Sequence, residues 1–241
     1  MAELLLEVGC EELPATFVQR AYTDLRQHLV NRLRESNLLE ADNAALEMGT
    51  PRRLIVQVTG VKQRLEDRDE EVRGPGLKAS FDADGNATGA LIGFCKKFGV
   101  DPNAVRKDDQ YVWITRRVLG GDAVKILAAL VPEVIRALAF EKSMRWGSSR
   151  MRFARPIRWI LATLDGKIIP FEIESVSSGC SSCGHRFYSP ETFDAHALPE
   201  LLAGLRRRKV EPDPAVRRAL ILDQAKPFKN WPKTGKNQGN G

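Results

Sequence analysis

The sequence is poor in the residues and loops from which most catalytic sites are built. It has only three histidines (His28, His185 and His196) and four cysteines (Cys10, Cys95, Cys180 and Cys183) in 241 residues. No serine sits in a Gly-x-Ser-x-Gly elbow. No Walker loop occurs, and no Gly-x-Gly-x-x-Gly follows a strand-like segment, so ATP binding within the chain is not supported. No apolar run approaches the roughly 18 residues that span a bilayer. Residues 1–14 carry Glu3, Glu7, Glu11 and Glu12 and no base, unlike a secretory signal, so a cytoplasmic protein without a membrane role is expected. No internal repeat is found. The chain does have ordinary globular content, with 43% hydrophobic and 28% charged residues. That balance excludes disorder of the whole chain.

The net charge is +6, with a sequence pI near 9.2, which suggests an anionic partner such as nucleic acid. Four of those charges (Lys226, Lys229, Lys233 and Lys236) lie in residues 226–241, which contain no acid. This tail has Pro227, Pro232, Gly235, Gly239 and Gly241 and no helical period, so it is expected to be disordered. The other bases concentrate between residues 141 and 160. There Lys142, Arg145, Arg150, Arg152, Arg155 and Arg158 face a single acid, Glu141, with Trp146, Phe153 and Trp159 interleaved. Guanidinium groups grip phosphate in a bidentate fork and flat rings stack on unpaired bases, so this pattern suits RNA. The same residues also fit a loop and edge strand with its aromatics in the core and its arginines in water.

Periodicity gives the architecture. Residues 4–8 read as a buried strand, and Val18, Tyr22, Leu25, Leu29 and Leu33 form one helical stripe running to about Ser36. Residues 53–59 read as a strand, 66–71 as a solvated acidic stretch, and Arg73-Gly74-Pro75-Gly76 as a turn or loop. Residues 87–98 read as a helix capped by Gly99, and 110–119 as a strand. A second long helix follows Asp122, with Pro132 expected to kink it. Asp165-Gly166 between apolar runs signals a hairpin, and residues 198–208 and 213–222 read as helices. The expectation is an α+β chain with mixed, largely antiparallel sheets packed against helices. Residues 1–225 form the folded region, divisible into 1–120 and 121–225, with the tail at 226–241.

Two further patterns compete for a role. Cys180-Ser-Ser-Cys183-Gly-His185 offers three tetrahedral ligands, but a second matching pair is missing. Cys95 falls on an apolar helical face as a buried thiol. Glu11 and Glu12 fit acid–base work, or a favourable place at the positive end of the first helix.

Several ordered motifs carry a family resemblance. Leu4-Leu-Leu-Glu7-Val-Gly9-Cys-Glu11-Glu12-Leu13-Pro14, then Thr50-Pro51-Arg52-Arg53-Leu54, then Arg73-Gly74-Pro75 resemble the bacterial glycyl-tRNA synthetase beta subunit. So do Lys142-Ser-Met-Arg145-Trp146-Gly147, Phe153-Ala-Arg155-Pro156-Ile157-Arg158-Trp159 and Gly184-His185-Arg186-Phe187. The resemblance runs to about Leu222 and is lost from about Lys226, and Cys180 and Cys183 stand outside the family pattern. It implies a cytoplasmic α2β2 enzyme that joins glycine to tRNA(Gly) with ATP and magnesium, bound by the separate alpha subunit. It also implies a longer beta subunit, with an HD-type and an anticodon-binding domain beyond the matched part, so this chain reads as an N-terminal portion without aminoacylating activity of its own. No catalytic residue, metal or cofactor is then expected here. The phosphate anchors would be Arg52, Arg53, Arg73, Lys142, Arg145, Arg155, Arg158 and Arg186, unless some pair with acids inside the fold. The alternatives are a non-catalytic scaffold and a zinc-stabilised RNA-binding module. Metal analysis of the purified chain tests the last: substoichiometric zinc is expected, and one bound zinc per chain would select it.

Overall fold

The computed structural model describes residues 2–82, 85–118, 120–147 and 151–226. In chain order the elements are β1 (Ala2–Cys10), α1 (Ala15–Glu35), β2 (Leu39–Thr50), β3 (Arg53–Val61), β4 (Arg64–Leu65), β5 (Arg68–Gly76), α2 (Leu77–Ser80) and α3 (Gly89–Phe98). Next come β6 (Arg106–Lys107), β7 (Tyr111–Val118), β8 (Gly121–Asp122), α4 (Ala123–Arg136), β9 (Ile157–Leu164), β10 (Lys167–Ile168), β11 (Glu172–Ile173) and β12 (Val176–Gly179). The last are β13 (Ser181–Cys183), β14 (Thr192–Asp194), α5 (Leu198–Arg207) and α6 (Pro214–Ala225). They fall into two compact units: residues up to Gln63 with those from Ala123 onward, and Arg64–Asp122.

In the first unit one sheet runs β11-β12-β9-β1-β3-β2, with β10 also paired to β9. Every pairing is antiparallel except β12 with β9. β1 is largely buried on both faces because it lies mid-sheet, with Glu3 and Glu7 as the acids on the face of Leu5. Helix α1 buries the expected stripe of Val18, Tyr22, Leu25, Leu29 and Leu33. It stops where Asn37 takes a left-handed conformation (φ 56°) and Leu38 N–H returns to the Leu33 carbonyl. Leu127, Leu130, Val131, Val134 and Ile135 of α4 are buried, and that helix continues past Pro132 to Arg136. On the opposite sheet face Leu5, Met48, Ile55 and Leu161 pack with Leu198, Leu201 and Leu205 of α5. Leu198 N–H donates to Glu3 Oε1 at 2.7 Å, tying the start of α5 to β1. The expected hairpin forms from β9 to β10 around Asp165 (φ 49°) and Gly166 (φ 78°).

The second unit is a three-stranded antiparallel sheet, β5-β7-β6, whose core joins Val112 and Ile114 to Leu91 and Cys95 of α3. Cys95 is a buried thiol, and α3 ends at left-handed Gly99 (φ 66°).

Three readings need correction, and one strand was not anticipated. Residues 39–50 form a strand that the sequence pattern did not signal. The acidic stretch 66–71 largely joins β5, because Glu70 and Glu71 pair with Arg116 and Arg106 across the sheet. Arg73-Gly74-Pro75-Gly76 ends that same strand rather than forming a separate turn. The pairing with β7 shifts register between Arg73 and Gly76, and such an irregular step tolerates a proline without its N–H. Strand β9 is interior, not an edge, since it pairs with β1, β10 and β12. The expected tail disorder falls on residues 227–241, outside the described residues.

Gly9 is the close-approach point of the sheet. A Cβ there would stand 2.0 Å from the Trp159 ring on neighbouring β9. Gly9→Ala is therefore expected to destabilise the chain by about 1–3 kcal/mol in a denaturant titration, through overpacking rather than lost contacts.

Candidate nucleic-acid interface

One end of the first unit's sheet gathers most of the expected anchors. Segment 10–13 is threaded across it by backbone bonds: Cys10 N–H to Arg52 O at 2.9 Å, Glu11 N–H to Pro156 O at 3.0 Å and Leu13 N–H to Pro51 O at 2.7 Å. That path inserts Glu11 and Glu12 between the two-residue β2–β3 turn, the entry to β9 and the 184–189 turn. Arg158 Nε lies 3.3 Å from Glu11 Oε1, and Arg52 lies 3.7 Å from Glu11 and 3.5 Å from Glu12. Arg186 Nη1 is 3.5 Å from Glu11 and 3.1 Å from Glu12, and Arg155 Nε donates to the Glu12 carbonyl at 3.1 Å. The carboxylates are thus not residues of the first helical turn, which begins at Ala15 and contains no acid. They serve as a hub for Arg52, Arg158 and Arg186, with Arg155 held on the Glu12 backbone carbonyl.

Burial works upward on the Glu12 carboxyl. The hydrogen bonds from Arg186 and its own backbone N–H, with the charges of Arg186 and Arg52, outweigh that and hold it below its ordinary value. The ionised form is therefore favoured in the fold, and the contact with Arg186 weakens only as pH falls below the usual carboxylate range.

Arg53 is different. Its side chain is 2% exposed and its partner Glu7 is 0% exposed. Nη1 donates to Glu7 Oε1 at 3.0 Å and to Ser182 Oγ at 3.3 Å, and Nη2 donates to the Cys183 carbonyl at 2.9 Å. A guanidinium so enclosed presents no surface to a phosphate, which corrects its expected role: it is a buried tie between the sheet and β13. The register explains the burial. Gly9 faces Arg53 on one side and Trp159 on the other, and the guanidinium lies 5.4 Å from the Trp159 ring centroid.

Lys142 and Arg145 are exposed and pair with no acid among the described residues. Their loop is pinned by the Met144–Phe153 bridge, with Phe153 fully buried and its ring 4.8 Å from that of Phe140. Arg152 bonds Ser143, while Arg150 lies outside the described residues. Arg73 belongs to the second unit, its guanidinium 4.7 Å from the Tyr111 ring centroid.

Sequence reasoning missed the surface beside this hub. A cleft of about 320 Å³ is lined by Arg52, Arg186, Phe187, Lys209, Glu12 and Glu211, among others. The run His185-Arg186-Phe187-Tyr188 was visible, but not its exposure, nor the approach of Lys209 from the end of α5.

The thiols do not suit nucleophilic or paired work. Burial pushes Cys10 up to about 12, outweighing the lowering by Arg52. Burial also raises Cys183, beside Glu7, and Cys180, beside Asp194, so the two members of the Cys-x-x-Cys pattern face different neighbours. Among the described residues, no three His, Cys, Asp or Glu side chains cluster at metal-binding range.

These features define a class: an α+β fold that gathers arginines at one surface suited to an extended anion. The chain belongs to the glycyl-tRNA synthetase beta subunit family, whose model matches residues 4–238. It is 42% identical over 228 residues to the glycine–tRNA ligase beta subunit of Syntrophus aciditrophicus (strain SB), covering 93% of this chain and 33% of that protein. It is 37% identical over 227 residues to the protein so named in Syntrophotalea carbinolica, covering 92% and 33%. With the one from Desulforamulus reducens it shares 38% identity over 226 residues, covering 92% and 32%. The chain therefore spans about a third of the length of these relatives. The match to residue 238 corrects the reading that the resemblance is lost from Lys226. Among the described residues no helix is long and apolar enough to cross a membrane.

The Arg53–Glu7 pair yields a stability test. Arg53→Met alone leaves Glu7 buried and uncompensated and is expected to cost about 3–5 kcal/mol in denaturant unfolding. The double variant with Glu7→Leu should recover much of that loss, the signature of a coupled buried pair.

Proposed function

We propose that this chain is a segment of the beta subunit of a cytoplasmic glycine–tRNA ligase, and that it holds tRNA for glycylation by a separate alpha chain. The observation that carries this reading is the convergence of Arg52, Arg155, Arg158 and Arg186 on Glu11 and Glu12, with exposed Lys142 and Arg145 on the pinned loop before β9. Family membership directs the reading toward tRNA, and the chemistry of the surface agrees with it. A guanidinium has five N–H donors, and Arg158 uses only Nε on Glu11, so the rest of its fork is available to phosphate oxygens. The carboxylates hold the arginine heads together and limit the entropy lost when RNA arrives. Arg73 on the second unit is a further candidate anchor. Arg53 acts indirectly, by holding the 182–184 backbone in place.

Activation of glycine with ATP and magnesium is assigned to the alpha chain of an α2β2 assembly. This sequence offers no phosphate-binding loop, and its described residues bring no three metal ligands together. A second reading, an assembly scaffold with structural arginines, draws on the ion pairs that already occupy several guanidinium groups.

Salt dependence separates the two. With Arg145→Glu and Arg155→Glu combined, tRNA binding should weaken, and the slope of log K against log salt should flatten by about one to two. An unchanged slope would remove this surface from the RNA interface. Co-purification with an alpha chain without measurable tRNA affinity would support the scaffold.

A further inference from the structure

We propose that the tip at residues 185–188 is a stacking platform for an unpaired RNA base, and that the adjoining cleft holds the flanking phosphate. The proposal rests on the tRNA-binding reading above and specifies which part of an RNA this surface takes.

Phe187 and Tyr188 are each 79% exposed, the highest exposure among the large apolar side chains of the described residues. Adjacent rings left this far in water are unusual unless something covers them. Their backbone is closely held. Phe187 N–H and Tyr188 N–H both donate to His185 Nδ1, at 3.2 and 3.3 Å. His185 N–H donates to the Arg208 carbonyl at 3.0 Å, and Ser189 N–H returns to the His185 carbonyl at 3.0 Å. Gly184 closes the turn so tightly that a Cβ would stand 2.0 Å from the Ser189 carbonyl oxygen. Behind it, Arg53 donates to the Cys183 carbonyl. The Tyr188 ring lies 4.6 Å from the His185 imidazole, and the Arg186 guanidinium 5.6 Å from the Phe187 centroid. The rings are therefore presented by a pre-organised turn, and ordering them on binding loses little entropy.

Charge favours RNA over a protein as the occupant. Phe187 shares the cleft with Arg52, Arg186 and Lys209, and Lys209 pairs with no acid among the described residues. Among the described residues Glu12 and Glu211 are the only acids lining it, and both already contact arginines. Flat faces next to cations match a base and its phosphate. A duplex keeps its base faces stacked inside, so the ligand is a loop or a single-stranded end.

The test uses the whole chain and a single-stranded RNA heptamer carrying 2-aminopurine at its centre, beside an analogue that is abasic there. The wild type should bind the base-containing heptamer more tightly and quench its fluorescence. Phe187→Leu with Tyr188→Leu should lower that affinity about tenfold, to the level of the abasic RNA, without changing abasic binding or the thermal midpoint. Lys209→Glu should weaken both heptamers alike and flatten the salt slope.

If the double variant binds both heptamers as the wild type does, while Lys209→Glu and the Arg145/Arg155 reversals weaken them, the platform is refuted and the tRNA reading stands. If the double variant keeps RNA binding but loses co-purification with an alpha chain, the tip is a protein contact and the proposal is overturned. If the wild type binds neither heptamer nor tRNA, both readings fall.

Discussion

A single buried ion pair organises the arginine-rich end of this molecule's larger sheet. Arg53 begins β3 and Glu7 lies on β1, on the same sheet face, and their contact at 3.0 Å is closed off from water. Isolated charges in such a place are costly, so further partners for the guanidinium matter. Nη1 and Nη2 find Ser182 Oγ and the Cys183 carbonyl, while Nε has no hydrogen-bond partner. The pair therefore fastens β13 and the turn after it onto the sheet. It is a buried tie that acts beside the surface contacts of Arg186 with Glu11 and Glu12.

Around this buried tie stands a second, wetter layer of charge. Arg52 and Arg186 reach both Glu11 and Glu12, Arg158 reaches Glu11, and each pair alone is worth little because solvent screens it. Their collective effect is geometric: like charges that would otherwise spread apart are held at one surface. An anion arriving there meets donors already gathered, and the local excess of charge matters more than the modest net +6 of the chain. The acid hub also tempers the field, which favours a partner able to make directed, bidentate contacts over any polyanion.

Much of the architecture was legible in the sequence because it rests on local periodicity. The α1 stripe, the apolar run of β1, the Asp165-Gly166 hairpin and the Gly99 cap all depend on residues within a turn or two of one another. Strand β2 was not legible, since its polar and small residues carry no alternation and it is specified by pairing with β3. The β5 end at Arg73-Gly74-Pro75-Gly76 was misread for a related reason. Turn-forming residues also serve at a register shift, and only the partner strand distinguishes the two. At the site, the basic and aromatic composition was readable, while the partners of each base were not.

The sequence by itself determined the α+β character, the family, the absence of a phosphate-binding loop and the supply of arginines in a few short motifs. The tertiary structure alone decided which arginine is buried, which are gathered and which face solvent. Arg52 and Arg53 are neighbours in the chain, yet Arg52 sits in the β2–β3 turn at the surface hub while Arg53 opens β3 on the sheet face beside Trp159. The acid that makes the difference, Glu7, is 46 residues away. Pairing across such separations is set by strand order and register, which no local pattern encodes.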